Sequence, residues 1–295
     1  MKMKKTVTLL LTVLLLCLAL TPCAGASAPA ADSSAQPEAQ LIAGILEPNS
    51  LESATQKQWM LNRGAPSIHK QVEFIAFSSL NAMLMELSAG RVDYLRLPSS
   101  VANYVTSVDD TLIIKVMKGA GQQFQMAVRA EDTALCDEMN SAIDALQASG
   151  ALDQLAGDYI THMDGAPSVN ALAHHEGGET HIVAVTGDLP PLDYVAADGT
   201  PAGFNVALLN AISETTGCNF EIVQLEAPAR LSALVSGKVD LIFWISCWSS
   251  DGFEPTEAGV CLTTPYFAED LCNMGYGADM MDRVEAMYKN MGRAD

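Results

Sequence analysis

Two segments, Leu87-Ser88-Ala89-Gly90-Arg91-Val92-Asp93 and Leu234-Val235-Ser236-Gly237-Lys238-Val239-Asp240, share one layout. In each, a predicted helix ends at a small residue and a glycine, and a cation follows at the negative end of the helix dipole. Val-Asp then opens a buried strand. One such joint is what any tight helix-to-strand turn selects. Two copies, each preceded by a β-α unit, predict a chain built twice on one α/β plan.

The flanking patterns fit that plan. Apolar runs predict strands at Leu41 to Ile45, Val72 to Ala76, Val92 to Leu97, Leu112 to Met117 and Gln123 to Val128. Helical spacing predicts helices at 50–62, 80–87, 101–105, 132–148 and 152–162. Gly150 separates the last two, and Met139, Ile143 and Leu146 give the longer one a buried face. Asp164-Gly165-Ala166-Pro167-Ser168 and Glu176-Gly177-Gly178 then break the pattern. It restarts with strands at His181 to Thr186, Phe220 to Leu225 and Val239 to Ile245, and helices at 205–216, 229–236 and 279–290. The expected division is an α/β lobe at 41–165, a linker at 166–180 and a second α/β lobe at 181–295, each lobe a mainly parallel sheet flanked by helices.

Ahead of the first lobe, Met1 to Lys5 carries three lysines, and an apolar run from Val7 to Leu20 leads into small residues. This is the layout of a secretory signal over residues 1–26. The run is shorter than the roughly 20 residues of a membrane span. Two processing routes stay open. Leu20-Thr21-Pro22-Cys23 has the shape of a lipobox, with Pro22 where Gly, Ala or Ser is usual, and Ala24-Gly25-Ala26 suits ordinary signal peptidase. Residues 27–40, rich in Ala, Ser, Pro and Gln, read as a flexible tether. The expected location is extracytoplasmic, at the cell surface or in the periplasm, with or without a lipid anchor.

The net charge of -19 has no basic cluster to offset it, which argues against nucleic acid as a partner. Five cysteines follow Leu41, so export permits disulfides but leaves at least one thiol free or paired between chains. Cys247 and Cys261 bracket a loop between predicted strands and are the first pair to test; five small buried hydrophobes is the competing reading.

Several motifs in order carry a family resemblance. Val183-Ala184-Val185-Thr186-Gly187-Asp188-Leu189-Pro190-Pro191-Leu192, then Asp198-Gly199, Gly203-Phe204-Asn205, Ser236-Gly237-Lys238-Val239-Asp240 and Thr264-Pro265-Tyr266 resemble the first lobe of the type 2 periplasmic binding proteins. The likeness is to solute-binding family 3, which includes the polar amino-acid receptors. Gly44, Asn49-Ser50, Ser88-Ala89-Gly90-Arg91-Val92-Asp93, Met126-Ala127-Val128-Arg129 and Ala148-Ser149-Gly150-Ala151-Leu152 resemble the family's other lobe. The resemblance implies a two-lobed fold with the lobes in circularly permuted order, or one unit of a tandem scheme of such lobes. It implies a small polar molecule held between lobes and no cofactor. The partner would be the membrane permease of an ABC importer.

Departures bear on the ligand. The family's amino-acid receptors hold the carboxylate with an Arg whose position falls near Gly252, and the ammonium with an Asp whose position falls near Pro98. Neither charge is present, and the usual loop Phe is Leu192. Candidate ligand-binding residues are Asp188, Leu192, Trp244, Ser246, Trp248, Asn49 and Ser50. The two indoles would suit a flat or cationic ligand, although a strand this apolar also accounts for Trp244 as core. Asp188 could meet a ligand cation or serve only its turn. Asn49 and Ser50 sit at a helix start, where capping alone explains them.

His174, His175, Glu176, Glu179 and His181 lack a fixed ligand spacing, so they read as linker rather than zinc site. No Gly-x-Ser-x-Gly, His-Glu-x-x-His or phosphate loop occurs. The reading is a non-catalytic binding protein of an importer; a sensing or accessory binding domain and a dehydratase-like enzyme on the same frame are the alternatives.

Overall fold

The structure is a computed structural model that describes residues 40–46, 71–162, 172–247 and 259–290, with the side chains of Trp244, Ser246 and Cys247 left aside. The signal, lipobox and tether, the helix expected at 50–62, Asn49, Ser50, Trp248 and the first part of the linker lie outside the described residues. No helix among the described residues is long and apolar enough to cross a membrane.

The chain begins with strands β1 (Leu41–Leu46) and β2 (Val72–Phe77), helix α1 (Leu80–Ser88), β3 (Tyr94–Pro98), α2 (Ser99–Val108) and the long β4 (Leu112–Arg129). After β4 come α3 (Thr133–Ser149) and α4 (Ala151–Ala156), which runs on into a wide turn at Gly157–Thr161. Next are β5 (Thr180–Val185), the short β6 (Asp188–Leu189), β7 (Asp193–Val195) and β8 (Pro201–Ala202), and α5 (Phe204–Thr216). Then β9 (Asn219–Gln224), α6 (Ala227–Val235), β10 (Leu241–Cys247), β11 (Val260–Leu262), β12 (Phe267–Tyr276) and α7 (Ala278–Asn290) complete the described chain.

Nine of these strands form one sheet in the order β2-β1-β3-β12-β4-β10-β5-β9, with β11 also on β4. It resolves into two groups of one plan. In the first, β1 lies parallel between β2 and β3, then β12 pairs antiparallel with β3, and the first part of β4 pairs antiparallel with β12. In the second, β5 lies parallel between β9 and β10, then the last part of β4 pairs antiparallel with β10, and β11 pairs antiparallel with β4. The chain therefore passes between groups within β4 and again between β11 and β12. Between them the β4–β12 register shifts: Asp270 faces Gly121 while Leu271 faces Met117, so residues 118–120 bulge from β4. Gly119 within the bulge has φ 76°, a value other residues rarely adopt.

The two groups show why Val-Asp recurs. Asp93 accepts from the backbone N–H of Ile42 at 2.7 Å, and its own N–H donates to Ile42 O at 2.7 Å. Asp240 does the same with Ile182, at 2.9 and 2.8 Å. Each aspartate pins the third strand of its group to the first. Gly90 and Gly237, at φ 68° and 72°, supply the left-handed turns ahead of them.

The groups are not divided where the sequence suggested. The last part of β4 is hydrogen-bonded to β10, and α3 and α4 pack with α5. Residues 122–161, expected with the first lobe, thus join the strands of the second half, while β12 and α7 join those of the first. The reason is that β4 is one strand, not two, and carries the chain across. Beyond it, residues 172–179 are held in place: Asn210 Oδ1 accepts from Ala173 N, and Asn219 bonds His175 N, His175 O and Gly178 O.

The largest apolar core runs through both groups, from Leu80, Leu95 and Leu97 through Phe124 and Met126 to Ile143, Leu208 and Phe243. A second cluster joins Leu41, Val72 and Tyr94 to Met281, Val284 and Tyr288, so α7, which packs on β12 and β4, shares a core with β1, β2 and β3. There the Tyr94 and Tyr288 hydroxyls meet at 2.7 Å and Arg96 lies over the Tyr288 ring.

A disulfide joins Cys136 of α3 to Cys261 of β11, with Cα atoms 6.6 Å apart. This replaces the expected Cys247–Cys261 pair. β10 and β11 lie on opposite sides of β4, where Cys247 stands against Gln122 and Cys261 against Val128. Two strand spacings across and six residues along put them roughly 20 Å apart, too far to bridge. Cys218 and Cys272 are buried free thiols.

Candidate functional site

The loop after β5 carries the polar centre of the molecule. Pro190-Pro191 is a cis pair between β6 and β7. Leu192 N donates to Leu189 O, and Phe204 N and Asn205 N donate to Pro191 O and Leu192 O. Gly203 makes this approach possible: it has φ 106°, and a Cβ there would stand 2.5 Å from Leu192 O.

With that turn closed, three side chains line up. Asp193 accepts from Thr186 N at 3.1 Å and Gly187 N at 3.0 Å through one oxygen, and from Asn205 Nδ2 at 2.9 Å through the other. Tyr266 donates its hydroxyl to Asn205 Oδ1 at 2.9 Å. Burial, then the nearby Asp193 charge, holds the Tyr266 phenol well above its ordinary pKa. The network ties the loop after β5 to α5 and to the chain entering β12, and it is fully satisfied.

Beside it lies a group that is not. Arg230 of α6 is only 8% exposed, and its Nε has no hydrogen-bond partner. Burial lowers its pKa, while Asp193, Asp188 and Tyr266 act in the opposite sense. Asp188 of β6 accepts from Leu80 N, at the start of α1, at 3.0 Å through Oδ2, and its Oδ1 is buried without a partner. Desolvation raises the Asp188 pKa. This carboxylate reaches from the small sheet β6-β7-β8 onto a helix of the first strand group, whose N-cap Ser79 bonds Ala82 N.

A second acid meets a helix start within the first group. Glu269 of β12 receives Ser100 N at 2.6 Å and Ser100 Oγ at 2.7 Å at the start of α2. Burial lifts its pKa to about 7. Directly opposite it on β4 is Gln122, whose Oε1 is buried and unpartnered. The position expected to carry the family's ammonium-binding acid, Pro98, faces Leu271, two residues along β12 from Glu269.

Of the residues singled out in the sequence, Asp188 is thus at the centre of this arrangement. Leu192 is 1% exposed and packs in the core with Leu189, Phe204 and Leu208 rather than presenting itself to a ligand. Trp244 and Ser246 have their backbones in β10 opposite Gln125 and Gln123. Trp248, Asn49 and Ser50 are not among the described residues. Among the described residues no group of three or more His, Cys, Asp or Glu side chains could hold a metal ion. Sequence reading missed Arg230, Glu269, Gln122, Tyr266 and Asn205 as a set. Arg230 had left a signal: it stands on the apolar face made by Ala227, Leu231 and Leu234, where a solvated arginine has no place.

In overall structure the chain is similar to the ligand-binding component of an ABC-type import system from Staphylococcus aureus, at 10% identity and a TM-score of 0.43, over 85% of this chain and 70% of that one. It is similar to a putative L-cystine ABC transporter protein from Listeria monocytogenes, at 13% identity and a TM-score of 0.42, over 85% and 89%. The oxidized form of OxyR is matched at 12% identity and a TM-score of 0.44, over 85% and 93%. No curated protein matches the chain in sequence. Over residues 181–246, from β5 into β10, the chain carries the pattern of the bacterial extracellular solute-binding proteins, family 3.

Proposed function

We propose that the protein captures a small polar solute between its two strand groups and delivers it to the permease of an ABC importer outside the cytoplasm. The observation that carries the reading is the double crossing: two groups of one strand order are joined by β4 and by the β11–β12 passage, with a bulge at 118–120 between them. Such a frame opens and closes by rotation about the crossing strands, the hinge motion of ligand-closing domains. The family pattern over 181–246 supports the same function, since that family is one of binding proteins. The order of the groups along the chain follows from a circular permutation, in which the strands of the family's opening lobe begin at β5.

Thermal-shift screening of the secreted protein against amino acids, polyamines, sugars and small organic anions tests the reading. A saturable rise in Tm without chemical change in the solute supports it. Turnover of the solute, or no response to any class, overturns it.

A further inference from the structure

We propose that Glu269 is a proton-operated latch at the crossing of the two strand groups, holding them as in the structure while its carboxyl carries a proton and letting them part when it does not. The latch rests on the closing motion proposed above and gives that motion a control, the pH outside the cell. Phe267 to Glu269 of β12 pair with Phe124 to Gln122 of β4, and the same β4 residues pair on their other side with Ile245 to Cys247 of β10. At Asp270 and Leu271 the register slips by the bulge at 118–120. Glu269 thus stands beside the bulge, on the stretch of sheet shared with β10. The Ser100 it bonds opens α2, at the end of β3. Rotation about the bulge changes the distance between them.

Directly opposite Glu269, Gln122 Oε1 is buried without a partner. Opposed residues on neighbouring strands stand about 5 Å apart at Cβ, within reach of side chains this long. A carboxylate there sets acceptor against acceptor, and an unsatisfied acceptor out of water is costly. A proton removes the conflict: the acid donates to Gln122 Oε1 and still accepts from Ser100 N and Ser100 Oγ. Without the proton a buried charge remains, and the surrounding groups do not balance it. Asp270 beside it adds a like charge. The Cys272 thiol meets Ser99 Oγ, and Arg96 of β3 donates to Asn273. Lys115 of β4 is engaged by Asp282 and Glu285 of α7, and Lys118 in the bulge is exposed. The positive end of α2 favours the anion, but burial outweighs it and lifts the Glu269 pKa to about 7. Water relieves the ionised form, and water reaches it when the groups part.

No solute is needed to test the latch. In the whole protein, NMR follows the Glu269 carboxyl and the Gln122 side-chain amide from pH 5 to 9, and small-angle X-ray scattering follows the radius of gyration. Both side chains should titrate together near pH 7, and the radius should rise across that midpoint. Glu269→Gln, neutral throughout and able to donate the same bond, should abolish the rise. Ser100→Ala removes a donor to the anion and should move the midpoint upward, and it stands in if Glu269→Gln does not fold by circular dichroism. A Gln122 amide that does not follow Glu269, or a radius that stays constant while Glu269 titrates, overturns the latch. A constant radius beside a saturable Tm rise with a solute leaves the binding reading standing; pH-driven opening with no Tm response to any solute class does the reverse.

Discussion

The two strand groups share strand order, a repeated Val-Asp clamp and a repeated glycine turn, and they differ in where their charges are satisfied. In the second group Asp240 does double duty: beyond Ile182 it receives Arg129 at 3.0 Å, and Arg129 also reaches Asp132 and Val239 O. Among the described residues Asp93, its counterpart, accepts from Ile42 alone. The second group also carries the satisfied Asp193–Asn205–Tyr266 network. The first group instead places acids at its helix starts, Asp188 of β6 on α1 and its own Glu269 on α2. Repetition supplied the frame, and divergence in a few charged residues gave the frame two unlike faces.

The largest test of that contrast is Gly203→Ala. Its φ and the close Pro191 and Leu192 carbonyls leave no room for a Cβ, so unfolding in urea should show a loss of about 4 kcal/mol. Asp240→Ala should cost about 3 kcal/mol by the same measurement, because Arg129 loses a partner. Asp93→Ala should cost only about 1.5 kcal/mol, the price of one clamp. Equal losses would break the comparison.

Glu269 predicts a pH effect of intermediate size. Its folded pKa of about 7 lies above the ordinary 4.5, so the native state holds a proton that the unfolded chain releases between those values. Stability should therefore be greatest below about pH 4.5 for this group and fall as pH rises to 7, by about 3 kcal/mol in all. Glu269→Gln should flatten that slope in denaturation curves taken from pH 4.5 to 8, and a slope that persists in the variant would assign the effect elsewhere. The smallest contrast lies at the helix starts. Ser79→Ala should lose about 1 kcal/mol by removing the α1 cap, whereas Glu226→Ala, whose side chain makes no cap bond at α6, should change stability by less than about 0.5 kcal/mol.

Local structure was legible because local patterns decide it. The helices at 80–87, 205–216 and 279–290, the separation at Gly150 and the buried face of Met139, Ile143 and Leu146 all appear where periodicity places them. What sequence could not show was pairing at a distance. The expected strands at 112–117 and 123–128 are one strand because β12 pairs along both parts, and no residue near Gly119 announces that partner. The same blindness hid the Cys136–Cys261 bridge and the grouping of α3 with α5. Asp188 was singled out from its loop, but Glu269 became visible only when the fold set it against Ser100.

The core shared by β1 and α7 has one more consequence. Leu41 and Tyr288 share a cluster, so the strand that opens the described chain and the helix that closes it are spatial neighbours. A short splice from α7 to β1, with a new opening cut at the turn before β5, would rewrite the order of exons or gene segments while leaving the packed contacts as they are. Genetic order and spatial order are separable in such a molecule, and rearrangement at the level of the gene need not pass through any unfolded intermediate design.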